Sequence, residues 1–387
     1  MPKLTFKPLD ASCIVGFLAY SSSAVVTPVC LVIIARELNI TLTEGGALEA
    51  ARTALLLVML VLSGFLSARW GKARMLGISS LCLAAGLLLY ALAGAYAALV
   101  LGMGLVGFGS GMLEGLTNPL VQDQHPDDSG RYLNMINGFW SVGVLATVLL
   151  VGELLTRDVP WRLVAAGLSG LSALSGLLFF AFARHEHTHA RQTLAESSAH
   201  FKNVLKDRGF WVFAGAMVFA GATEMGFTFW SATLIQVWLG STPRAGGVGT
   251  ACFAAGMVAG RFACGHFVAQ KHLARLILLS AGAGFCVSLL IFVVHSLAAL
   301  CVVLFLAGLS VACFWPGIQS LAAERLTCDH TMLFILLSCA GIPACGLVSW
   351  IMGIIADHSS VRVSFAILPL MFLLLAGLIR RAVKSGY

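Results

Sequence analysis

One apolar stretch, Gly107 to Pro119 (GFGSGMLEGLTNP), places an acid, Glu114, and an amide, Asn118, among glycines. An ionisable side chain inside a membrane span costs about 3 kcal/mol or more unless it faces protein or water, so its presence points to function. Gly107, Gly111 and Gly115 recur at every fourth position, a small-residue stripe on which a neighbouring helix can approach closely. Glu114 lies beside that stripe and is expected to look into a helix bundle. Loss of water disfavours a charged carboxylate, so a proton can come and go at Glu114, and Asn118 one turn later can hydrogen-bond either form. Glu114 is therefore the expected proton-responsive residue, with Glu224 in a later apolar segment the next candidate, and Pro119 is expected to break the helix.

Two arginines also fall inside apolar segments. Arg52 stands three residues from Glu49 on one helical face, where it can pair with that acid, anchor a solute or snorkel to the nearer end of its span, about 10 Å away. Arg261 follows Gly256 and Gly260 and has no acid within four residues, so an acid from another helix or a solute is its expected partner. Trp140, Trp230 and Trp315 lie away from span ends, unlike Trp70, Trp161, Trp211 and Trp238, whose positions suit an interfacial belt; Trp350 has no clear assignment. With Asn118, Asn134, Asn137 and Gln319 these three rings suit a small polyhydroxylated or mixed polar solute, although rings in helices also serve as packing. The hydroxyls of Tyr20 to Ser23 and Thr27 fit either a solute contact or back-bonding to carbonyls near Pro28.

The elements that carry these groups follow from composition. With 59% apolar and 11% charged residues and a mean hydropathy of +0.93, the chain cannot be an ordinary soluble domain, in which about 25% of residues are charged. Twelve apolar segments occur, at about 11–36, 45–68, 75–94, 97–119, 133–156, 161–183, 210–239, 245–269, 273–294, 297–319, 332–356 and 363–382, each near the 20 residues that cross a bilayer. If both termini are cytoplasmic, seventeen of the 24 Lys and Arg fall on that side, which satisfies the positive-inside rule. The net charge of +7 then reflects topology and does not argue for nucleic acid. The first apolar stretch is too long for the core of a cleaved signal, about 7–15 residues, and is expected to remain as a span. Ten of the eleven cysteines sit in spans without a CxxC, so they read as buried small apolar side chains, and no metal, redox centre or cofactor is expected. Neither GxSxG nor HExxH occurs, and a membrane-embedded enzyme is not expected. A receptor without transport activity usually adds a soluble domain, and no loop exceeds about 25 residues.

Sliding the chain against itself by 201 residues aligns Thr27 with Thr228, Gly64 with Gly265, Arg74 with Arg275 and Gly107 with Gly308, and sets Glu114 opposite Trp315 and Asn118 opposite Gln319. Six spans separate the copies, an even number, so the halves are parallel repeats, as in rocking transporters. The expected fold is an all-α membrane protein of twelve transmembrane helices in two parallel six-helix repeats, residues 1–184 and 209–387, joined by a cytoplasmic linker at 185–208. A cavity lined chiefly by spans one, four, seven and ten is expected between them.

After the second span, Gly64, Leu66, Arg69, Gly71 and Lys72, followed by Arg74, match the signature loop Gly-x-Leu-x-Asp-Arg-x-Gly-Arg-Lys of the major facilitator superfamily, which the chain resembles over nearly its whole length. The family's acid is replaced by Ala68, which puts in doubt the latch that acid helps form. Gly109 to Pro119, Gly130, Leu133 with Asn134 and Trp140-Ser141-x-Gly143 resemble the fourth and fifth spans of the fucose permease and its glucose and galactose relatives. Glu224 with Gly226 and Trp230, Gly260 with Arg261, Pro316 to Arg325 and Gly353 to Asp357 with Arg362 fit the same branch. The resemblance implies protonation at Glu114 coupled to solute movement, hence uptake of a sugar or sugar-like solute with protons by a monomer in the cell (inner or plasma) membrane. The branch's second acid, in span one, has no counterpart between Asp10 and Glu37, which counts against fucose. A Gly-Pro-x-x-Gly-Gly exporter element is missing from Gly138 to Gly152, while Arg52 and Arg261 keep an organic anion open as the alternative. The linker holds His185, His187, His189 and His200, whose alternation does not fix a metal geometry.

Overall fold

The structure, a computed structural model, describes residues 6–125, 129–186, 201–267, 272–328 and 330–384; within these, the side chains at 64, 65, 68, 69, 129–131, 133–135, 262, 265–267, 330 and 331 are not described. Among the described residues there is no strand. Helices run over Pro8–Leu38 (α1), Leu42–Trp70 (α2), Lys72–Ala91 (α3), Tyr96–Gln124 (α4), Ser129–Thr156 (α5), Trp161–Phe182 (α6), Arg208–Trp238 (α7), Pro243–Phe267 (α8), Leu273–Leu290 (α9), Leu297–Val311 (α10), Phe314–Arg325 (α11), His330–His358 (α12), Val361–Ser364 (α13) and Ile367–Lys384 (α14). Eleven spans among the described residues are long and apolar enough to cross a membrane, α10 and α11 forming one of them and α13 and α14 another. Glycine-rich α8, with Arg244 and Arg261, is not among the eleven.

Local chemistry sets the helix ends. Pro8 occupies the first turn of α1, where its missing N–H costs nothing, and Asn39 closes that helix in the left-handed region with φ 51°. Thr41 and Glu44 form a reciprocal capping box at the start of α2, with Thr41 N donating to Glu44 at 2.8 Å and Glu44 N to the Thr41 hydroxyl at 3.1 Å. The tenth apolar segment is broken at Ala312 and Cys313, because Pro316 has no N–H to give the Ala312 carbonyl and its ring crowds it. Pro119, by contrast, does not break α4, which runs on to Gln124. The expectation of a break there is corrected.

The chain forms two compact units, Met1–Ile40 with Ala51–Arg191, and Thr41–Ala50 with Gln192–Tyr387. Residues 41–50 thus belong with the second unit, where the sequence placed them in the first. Asp357 at the end of α12 accepts from the backbone N–H of Leu42 at 2.9 Å and of Thr43 at 2.6 Å, neutralising the positive end of α2. A Cβ on Gly46 would meet the Ser349 carbonyl oxygen at 2.3 Å, and one on Gly353 the Leu42 oxygen at 2.5 Å, so the two backbones touch.

Inside each unit the same packing recurs. In the first, α1 packs on α5 and α6 and α3 on α4 and α6; in the second, α7 packs on α12 and α14, α9 on α14 and α8 on α10. The stripe Gly107, Gly111, Gly115 faces α2, where added Cβ atoms would lie 2.0 Å from the Arg52 oxygen, 2.2 Å from the Leu56 oxygen and 2.4 Å from the Ser63 hydroxyl. Gly308 meets the Phe253 oxygen at the same 2.0 Å. Since 107 and 308, and 52 and 253, both differ by the 201-residue register, the contact is one feature built twice.

A second repeated feature seals one helix end in each unit. Arg162 donates to the Ala93 carbonyl at 2.8 Å beyond the end of α3, lies 4.4 Å over the Trp161 ring and pairs with Glu37. Arg362 donates to the Ile291 carbonyl at 3.2 Å and to that of Phe292 beyond the end of α9, and lies 4.1 Å over Trp238. Each guanidinium satisfies carbonyls that a helix end leaves bare and stacks on a ring. Arg162→Gln and Arg362→Gln are each expected to destabilise by about 1–2 kcal/mol, read as a lower unfolding temperature in detergent micelles. Unchanged unfolding in both would show the contacts to be idle.

Candidate functional site

The first unit gathers its polar groups around α4. Glu114 is half-buried and accepts a hydrogen bond from the Tyr20 hydroxyl of α1, and the Arg52 guanidinium of α2 is near enough for its charge to act on the carboxyl. Arg52 is only 3% exposed, so the snorkelling alternative does not hold. Glu49 is fully buried on the same helix. One turn beyond Glu114, Asn118 accepts from Asn137 Nδ2 of α5 at 2.9 Å, and Trp140, half-buried, follows one turn later on α5. The side chain of Asn134 lies outside the described residues.

The hydroxyl run on α1 is spent on structure. Ser21 and Ser22 donate to the Leu18 carbonyl at 3.1 and 2.7 Å and Ser23 to that of Tyr20 at 2.6 Å; Ser22 also meets Thr147 at 2.7 Å, and Thr27 meets Tyr90 at 3.0 Å. Tyr20 is the member of that run whose hydroxyl reaches Glu114.

In the second unit Glu224 of α7 meets Arg261 of α8 at 3.4 Å. That separation exceeds a good charge-assisted hydrogen bond, about 2.7–2.9 Å. Glu224 Oε2 and Arg261 Nε are both buried with no hydrogen-bond partner, so the pair is only partly satisfied, and Arg261 is one-third exposed. Gln319 on α11 donates to the Ser338 hydroxyl at 3.1 Å, and the half-buried Trp315 ring lies against Gly341 of α12. Trp230 has a different role from the one its position suggested. It is fully buried and its indole N–H donates to the Ser349 carbonyl at 3.2 Å, so it packs α7 on α12 and leaves no face for a solute.

The signature loop is fixed within the first unit. Gly71 adopts φ 84°, a conformation that favours glycine, and the Glu186 carboxylate caps α3 by accepting from Lys72 N at 2.7 Å and Ala73 N at 3.1 Å. Lys72 Nζ pairs with Asp123 at 2.5 Å, and Arg74 is exposed. Sequence spacing gave no sign that Glu186, more than a hundred residues on, supplies an acid here. The side chains at Gly64 and Arg69 lie outside the described residues, as do His187, His189 and His200 of the linker. Among the described residues no group of three His, Cys, Asp or Glu side chains gathers as for a metal.

Many apolar helices, a duplicated packing plan and acids held inside bundles are the features of a multi-pass membrane protein, and its family makes it a transporter. The chain belongs to the Major Facilitator Superfamily, whose sequence model matches residues 12–271. No curated protein matches the chain. Among solved structures it is similar to a bacterial homologue of the human lysosomal transporter Spinster, at 14% identity and a TM-score of 0.80 over 98% of this chain and 96% of that one. It is also similar to a D-xylose-proton symporter (15%, TM-score 0.74, 96% of each chain) and to the nucleoside transporter NupG (14%, TM-score 0.77, 97% of this chain and 98% of that one). At these identities the likeness shows the fold.

Proposed function

We propose that the protein moves a small polar solute, a sugar or a sugar-like molecule, by alternating access coupled to protons. In this reading it takes the solute up as a monomer in the cell membrane with both termini cytoplasmic. The observation that supports it is the placement of ionisable groups: Glu114 with Tyr20 and Arg52 in one unit, Glu224 with Arg261 in the other, each acid facing a helix of its own unit. Charge inside a membrane span is costly unless paired or neutralised, so its retention in both units points to work done by these groups. Amides at Asn118, Asn137 and Gln319 with the Trp140 and Trp315 rings supply donors, acceptors and apolar faces, the mix that a polyhydroxylated solute requires. A second reading, a small organic anion, is favoured by the partial exposure and loose pairing of Arg261.

Thermal unfolding of the purified protein against sugars, sugar acids and small organic acids tests both readings, because a ligand that binds only the folded state raises its stability. Counterflow of the hit in liposomes then tests transport; a panel with no hit and no counterflow would remove the sugar and the anion readings together. For that solute, Arg261→Gln is expected to weaken binding about tenfold, the loss of one charged contact of about 1.4 kcal/mol, and Arg52→Gln less. The assignment fails if Arg52→Gln alone abolishes binding.

A further inference from the structure

Transport chemistry leaves the cysteines unused, yet four of them are placed by one repeated spacing. On α8 the sequence reads Cys252-x-x-x-Gly256-x-x-x-Gly260-x-x-x-Cys264, and along α10 to the start of α11 Cys301, Phe305, Leu309 and Cys313 follow at the same four-residue interval. The structure sets these two rows face to face. Cys301 lies within interaction range of Cys252 and Cys313 of Cys264, while a Cβ on Gly256 would meet the Phe305 oxygen at 2.1 Å and one on Gly260 the Ala312 Cβ at 2.5 Å and the Leu309 oxygen at 3.1 Å. The pairs 252–301, 256–305, 260–309 and 264–313 each differ by 49 residues, so the helices run parallel. The two glycines let backbone touch backbone, and a thiol pair closes the row at each end.

All four are free thiols, Cys313 buried and the other three partly exposed. A disulfide needs Cα atoms about 4.4–6.8 Å apart, and the close backbone approach at Gly256 and Phe305 between the two pairs is what brings the helices near enough to attempt it. At the 201-residue register the four positions become Ala51, Val100, Ser63 and Met112, and Gly256 and Gly260 become Leu55 and Met59, so the first unit has neither the thiols nor these two glycines.

We propose that Cys252 with Cys301, and Cys264 with Cys313, are two oxidation sites that close into disulfides joining α8 to α10 and to the start of α11. With hydrogen peroxide as oxidant, one thiol attacks a peroxide oxygen to give a sulfenic acid and water. Its neighbour then displaces hydroxide from that sulfur, which leaves as a second water once the thiol proton is transferred. Two thiols and one peroxide give one disulfide and two waters. The second site carries the larger consequence for shape. Cys313 stands at the joint between α10 and α11, and Cys264 lies one turn beyond Arg261, so this link ties the joint to the helix that holds the arginine.

The test treats the purified protein with hydrogen peroxide, alkylates the remaining thiols and maps cross-linked peptides by mass spectrometry. Four of the eleven thiols should be lost to alkylation, as a 252–301 and a 264–313 cross-link, and dithiothreitol should restore them. Cys252→Ser should remove the first link alone and Cys264→Ser the second alone; Cys301→Ser and Cys313→Ser replace either variant that fails to purify as a single species. The proposal is overturned if the four thiols stay alkylatable, if they oxidise singly to sulfinic acid, or if the cross-links join other cysteines.

Discussion

Replacing Glu114 by Gln is expected to abolish uphill accumulation of solute while leaving binding and exchange in place. The amide keeps the shape of the protonated carboxyl and still accepts from Tyr20, so the neighbourhood is retained while the proton site is lost. Three influences meet on the native carboxyl: loss of water, the Tyr20 hydroxyl and the Arg52 charge. One protonation event at this carboxyl would change the cost of a conformation, because a buried charge penalises a closed site more than a neutral acid does. With one proton per solute, a pH step of one unit, inside alkaline, would support about tenfold accumulation in wild type and none in the variant. If Glu114→Gln liposomes still concentrate solute against its gradient, coupling lies elsewhere, and Glu224 is the next residue to replace.

The architecture was legible because it rests on patterns that depend only on the chain. Apolar segments of bilayer length gave the helices, and a constant 201-residue register gave the repeat, which reappears in space as the paired contacts of Gly107 on Arg52 and Gly308 on Phe253. The glycine stripe also marked a helix contact correctly. Prolines were less readable. Pro316 breaks its segment and Pro119 does not, though both read alike in sequence.

At the site, what could be read was residue type and what could not was the partner. Arg261 had no acid on its own helix and meets Glu224 from another. Glu114 likewise had no adjacent charge on its own helix, and a charge near it comes from Arg52 on α2. Contacts between helices depend on rotation about each axis, which hydropathy fixes poorly when a helix is apolar on all sides. Trp230 shows the same limit, since depth along a span did not separate a ring that packs α7 on α12 from a ring open to a solute. Glu186 was hidden for another reason. A helix N-terminus accepts any carboxylate the fold brings to it, so nothing in the local sequence of the loop names the donor.

Gly107→Ala and Gly308→Ala should be the most damaging single-methyl additions among the described glycines, and damaging to about the same degree. In each case the new Cβ would stand 2.0 Å from a backbone oxygen, Arg52 in one unit and Phe253 in the other, where real Cβ contacts essentially never fall below 3.0 Å. A flexible side chain can swing away from such a clash; a helix backbone cannot. The helices must therefore separate, and every contact along the shared stripe loosens, including those at Gly111 and Gly115 or at Gly256 and Gly260. Overpacking of this kind costs about 1–3 kcal/mol where side chains can adjust, so a loss at or above about 3 kcal/mol is expected here, seen as poor recovery of folded protein and a much lower unfolding temperature. Gly282→Ala supplies the control within a helix of the second unit. Nothing lies within 4 Å of its added methyl, and removing glycine's freedom in a helix is expected to stabilise by about 0.5–1 kcal/mol. Equal tolerance of all three substitutions would mean that neither glycine contact holds its unit together, and that the repeated register does not reflect a packing need.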